Sequence, residues 1–135
     1  MSVRAPSVVR WPGVVGAAAA AVAVAAGAFG AHALDGVLTT ARLATFETAA
    51  RYQLLHAIGL IALQAALAAD AAAPRALGLA AALLTFGTGV FSGSLYLLVA
   101  TDVGAWGAVA PIGGAAMIAG WAVTAWAFAR HRPAG

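Results

Sequence analysis

Between Arg10 and Asp35 the chain runs for 24 residues without a charged side chain, and three more such runs follow: 18 between Arg51 and Asp70, 26 between Arg75 and Asp102, and 27 between Asp102 and Arg130. Each can cross a hydrocarbon core of about 30 Å as an α-helix. In lipid every backbone amide must find its partner inside the protein, so only helices and closed barrels span a bilayer. These runs are rich in Ala, Leu and Gly and lack the two-residue alternation of barrel strands. The expected fold is therefore all-α: a four-helix transmembrane bundle in one integral membrane domain covering residues 1–135, with spans near 12–34, 52–70, 76–100 and 104–129. Of the 135 residues 64% are hydrophobic, against seven basic and four acidic ones, which leaves too little polar surface for a water-soluble globule. The net charge of +3 comes from scattered Arg, with no Lys and no basic run to track phosphates, so no nucleic-acid partner is expected. The absence of Cys removes disulfides and thiolate chemistry.

The first span is the weakest, because Ala dominates Val14 to Ala28 and contributes less transfer free energy than Leu or Phe. Its insertion is expected to lean on its neighbours. An alternative is a secretory signal peptide, with Arg4 and Arg10 ahead of an apolar stretch ending in Ala31-His32-Ala33. That stretch is longer than the roughly 7 to 15 residues of a signal core, which favours a retained span. Gly36 breaks the first helix and Thr39 or Thr40 can cap the next. Leu43, Phe46 and Ala50 then recur at three and four positions with Arg42, Glu47 and Arg51 between them. That pattern predicts a short interfacial amphipathic helix over about 39–51, running into the second span. Tight turns are expected at Asp70 to Arg75, ended by Pro74, and at Thr101 to Gly104. With four spans, Arg4, Arg10, Arg75, Arg130 and Arg132 share one side and Arg42 and Arg51 the other. The positive-inside rule then puts both termini in the cytoplasm of a cell-membrane protein. Trp11 and Trp126 near one boundary and Trp106 and Tyr52 near the other agree with that threading.

Three groups of residues are candidates for function. On the third and fourth spans Gly89 and Gly93 form a small-xxx-small pair beside Thr85, Ser92 and Ser94, and Gly113, Gly114 and Gly120 follow Pro111. Such faces allow close helix packing, either within the chain or against an oligomer partner. His32 and His56 fall within or at the edge of apolar runs, where an ionisable group is costly, and both belong near the outer boundary. They are read either as histidines satisfied by neighbouring polar groups or as a site for a cofactor, ligand or proton. Glu47, Arg51, Tyr52 and Gln53 stand at the helix junction, with Arg42, Thr45, Ala49, Tyr52, Gln53 and His56 on one side of the wheel and Glu47, Arg51, Leu54 and Ile58 on the other. Glu47 and Arg51 form an exposed i,i+4 pair, or a buried pair that pins the junction. No Ser-His-Asp arrangement, phosphate-cradling loop or zinc spacing occurs, so neither catalysis nor a bound metal or cofactor is expected.

Several strings resemble one known family. GAFGAHAL at residues 27–34, FETAARYQLLH at 46–56, FSGSLY at 91–96, PIGG at 111–114 and AGW at 119–121 are similar, in the same order, to the family of domain of unknown function 423. That family includes small bacterial inner-membrane proteins and the eukaryotic transmembrane protein 256. The resemblance implies a retained first span and a four-helix membrane protein, and it assigns no activity. It marks His32, Glu47, Arg51, Tyr52, His56, Ser92, Ser94, Tyr96, Pro111 and the nearby glycines as family positions without a role for any. The chain departs from it in its high Ala and Arg content and its lack of Lys.

Two functions fit these readings. The first is a non-catalytic scaffold or accessory subunit of a membrane complex, in contact with lipid and with copies of itself or other membrane subunits through the Gly-rich faces. The second is a small module that binds or transports a cofactor, quinone or ion in a polar cavity that His32, His56, Tyr52 and Glu47 would line.

Overall fold

The computed structural model describes residues 10–69 and 75–130, so Arg4, Arg132 and the Asp70–Pro74 turn lie outside the described residues. It contains four helices, α1 (Trp11–His32), α2 (Thr40–Ala69), α3 (Arg75–Thr101) and α4 (Ala105–Arg130). All four are long and apolar enough to cross a membrane, and no strand occurs among the described residues. The all-α reading therefore holds. Pro12 opens α1 where a missing N–H costs nothing, and Thr39 caps α2 by accepting from the Arg42 amide through its hydroxyl at 3.4 Å.

The segment expected as an interfacial helix is the first three turns of α2, which continues unbroken for 30 residues. At 1.5 Å per residue this rod is about 45 Å long, against about 33 Å for α1. The turn at Thr101 to Gly104 also forms. The Asp102 amide donates to the Leu98 carbonyl at 2.9 Å, and Asp102 itself adopts φ 59°. Asp tolerates that left-handed conformation because its short side chain bonds locally.

Neighbouring helices pack in chain order: α1 on α2, α2 on α3 and α3 on α4, while α1 barely touches α3. Leu60 and Leu63 of α2, Leu77 and Leu84 of α3 and Met117 of α4 form the central cluster. The tightest seam joins α3 and α4. A Cβ on Gly113 would stand 2.6 Å from the Gly87 carbonyl oxygen, and one on Gly87 would stand 2.8 Å from the Gly113 carbonyl oxygen. Two backbones can come this close only where both residues lack a side chain. Gly120 likewise admits Leu84, and Gly59 admits the ring of Trp121, through which α4 reaches across to α2.

Candidate functional site

Because α1 leans on α2 and leaves α3 almost free, a cavity of about 400 Å³ remains between α1 and α3, with α2 as its floor. Val15, Ala19 and Val22 of α1 form one wall, and Thr85, Gly89, Ser92 and Gly93 of α3 the other. Val22 is 58% exposed and Gly89 is exposed, so the cavity opens on the outer surface of the bundle. A Cβ built on Gly89 or Gly93 meets nothing within 4 Å. The small-xxx-small pair thus faces open space, whereas Gly113 and Gly120 are used up inside the chain.

The polar centre of the cavity is Gln53. Its amide nitrogen donates to the Ala19 carbonyl of α1 at 2.9 Å, and its amide oxygen accepts from the Tyr96 hydroxyl of α3 at 3.0 Å. One side chain thereby ties three helices together, from near the middle of α1 and α2 to the last turns of α3. Ser92 donates to the Ala49 carbonyl at 2.8 Å, a further α3–α2 tie. The Thr85 hydroxyl oxygen is buried without a hydrogen-bond partner among the described residues, an uncommon state for a buried polar atom.

The histidines do not come together. His32 is exposed at the end of α1, while His56 is buried at 7% exposure within α2, turned toward Trp121 of α4. His56 Nδ1 lies 2.7 Å from the Tyr52 carbonyl oxygen, so this nitrogen carries the proton and donates. The imidazole stacks on Tyr52 at 6.0 Å and 12°, and it meets Trp121 at 6.0 Å. Tyr52 packs on Phe91 at 4.7 Å. Among the described residues no group of three or more His, Asp or Glu comes within reach of one metal ion.

Glu47 and Arg51 are both exposed, on the outer face of α2 with Leu55 and Ile58. Their depth follows from the Ser92–Ala49 bond, which sets this turn level with a residue nine positions before the end of α3. Arg51 therefore lies about 13 Å inside a helix of about 40 Å, and Glu47 one turn shallower. Of the other expected positions, Ser94 donates to the Phe91 carbonyl at 2.9 Å, Pro111 is exposed, and Gly114 borders the Phe91 ring. Arg42, at the same end, donates to the Val99 carbonyl, and its Nε is buried without a partner among the described residues.

Four membrane-length helices, packed through glycine contacts and interhelical hydrogen bonds, define a small multi-pass membrane protein with a neutral cavity at mid-depth. Residues 26–114 match the family model described as protein of unknown function (DUF423), and the chain belongs to that family. It is 41% identical to the UPF0382 membrane protein SSP2132 of Staphylococcus saprophyticus, over 80% of this chain and 88% of that protein. It is 39% identical to the UPF0382 membrane protein YwdK of Bacillus subtilis, over 80% and 87% of the two chains. With the UPF0382 inner membrane protein YgdD of Escherichia coli K12 it shares 34% identity, over 74% and 75%. No solved structure matches the chain.

Proposed function

We propose that this protein is a non-catalytic scaffold of the inner membrane that assembles with its own copies through the outer face of α2. The observation that carries this reading is the depth of the exposed Arg51. Helix α3 exceeds a hydrocarbon core of about 30 Å by only about 10 Å, so a residue about 13 Å inside its end lies in the hydrocarbon wherever that excess falls. An Arg facing lipid costs roughly 2.5–3.5 kcal/mol at the centre of a span, less toward the boundary and less again where its side chain reaches the headgroups. A copy related by a two-fold axis along the membrane normal would set its Glu47 beside this Arg51, and this Glu47 beside its Arg51. Helical side chains slope toward the N-terminus, which aims Arg51 at the level of the partner's Glu47. Leu55 and Ile58 continue the same stripe and pack below the charges. The inner-membrane names of relatives such as YgdD and the excess of Arg at the terminal ends support that membrane and a threading with both termini cytoplasmic.

The test is self-association in vesicles. Arg51→Glu and Glu47→Arg singly are expected to weaken the dimer about tenfold or more, and the double exchange is expected to restore it. A cysteine at Leu55 of this Cys-free chain should cross-link copies, and one at Ile118 of α4 should not. A strictly monomeric chain overturns self-assembly, and a double exchange that fails to rescue overturns the α2 face as its interface. Cross-linking of Leu55 to one stoichiometric foreign protein would turn the reading to an accessory subunit.

A further inference from the structure

The cavity between α1 and α3 is independent of the α2 outer face and carries a second role. We propose that it binds one neutral molecule dissolved in the bilayer, an apolar body bearing a hydroxyl or carbonyl oxygen that bonds to the Gln53–Tyr96 pair. The volume of about 400 Å³ falls within the range of small-molecule sites, roughly 300–1,000 Å³. Its lining holds no Arg, Lys, His, Asp or Glu. A phosphate or carboxylate would thus be desolvated without a counter-charge, a penalty that a neutral oxygen avoids. Depth gives a second reason against ordinary phospholipid headgroups. Most of the lining, Val15–Val22, Gln53–Leu60 and Thr85–Gly93, lies away from the helix ends, and Tyr96, in the last turns of α3, is the part nearest the boundary where such headgroups reside.

The polar groups also leave capacity unused. Gln53 spends one amide N–H on Ala19 and its oxygen on Tyr96, which leaves the second amide N–H and the lone pairs of the Tyr96 oxygen. Ser92 donates to Ala49 and can still accept, and the Thr85 hydroxyl has no partner among the described residues. A carbonyl can accept from the amide, and a hydroxyl can also donate to the phenol oxygen. Gly89 and Gly93 supply the room, since side chains there would occupy the space in which the apolar body lies.

The probe is a hexadecanol carrying a photoactivatable diazirine in its chain, added to full-length protein in vesicles of phosphatidylethanolamine and phosphatidylglycerol. Labelled positions are read by peptide mass spectrometry, with the hexadecyl sulfonate analogue as the charged counterpart. The alcohol is expected to label the Val15–Val22 and Gly89–Tyr96 segments. Gly93→Leu should reduce that labelling about tenfold or more, and Tyr96→Phe by about threefold to tenfold, the weight of one hydrogen bond. Gly89→Leu serves as a second filling variant should Gly93→Leu lose its helical circular dichroism. Equal labelling of these segments with and without a filled cavity overturns the site. Equal labelling by the sulfonate, or an unchanged Tyr96→Phe, overturns the neutral headgroup partner.

Discussion

Glycines that look alike in the chain do opposite things in the molecule. Gly113 lies against the backbone of α3, so Gly113→Ala forces helices apart and is expected to cost roughly 1–3 kcal/mol. Gly93→Ala projects into open space and should stay within about 0.5 kcal/mol of the parent. Denaturant unfolding in mixed micelles compares the two directly, and equal losses would contradict the packing described. The sequence carries the small residues but not the direction each one faces, because a rotation of one residue's step moves a glycine from a seam to a cavity. The same limit applies to the polar side chains. His56 and Gln53 are three residues apart, yet the first faces Trp121 of α4 and the second bridges α1 and α3. Gln53 stood only at the edge of the junction group in the sequence. The signal that could have singled it out is an amide within an otherwise uncharged span, where an unpaired polar group is expensive.

The elements themselves were legible, because spacing between charges reports helix length directly. Gly36 and the Thr39 cap are where the chain placed them, and so is the turn at Asp102. The continuity of α2 was harder to read. Arg42, Glu47 and Arg51 signal an interface, and a separate surface helix satisfies that pattern as well as a long one. Tertiary contacts decide the matter, since Arg42 caps α3 and Ala49 accepts from Ser92 on the same straight rod. Helix ends leave carbonyls without partners, and a cation near the C-terminus offsets both the missing bond and the helix dipole. Arg42→Ala is accordingly expected to lose about 1 kcal/mol and to speed amide hydrogen exchange over the last turn of α3. Exchange that leaves Leu98 to Thr101 as protected as before would show that the cap is dispensable.

At the scale of the whole molecule the four helices form an open arrangement with α1 outermost and α2 and α3 at the centre. Threading is the property that spacing alone decides least, as it rests on Arg placed at the helix ends. An impermeant maleimide applied to intact cells should label a cysteine at Val37 and spare one at Arg130. The reverse pattern would invert the molecule without altering a single packing contact. Attachment of α1 has a further consequence. Among the described residues its side-chain hydrogen bonds to the rest of the bundle come from Gln53, which meets Ala19, and from Gln64, which accepts from the Gly13 amide at 3.3 Å. Both glutamines emerge from the ribosome well after the helix they hold. Docking of α1 through these two bonds can therefore be completed only after most of α2 has been synthesised.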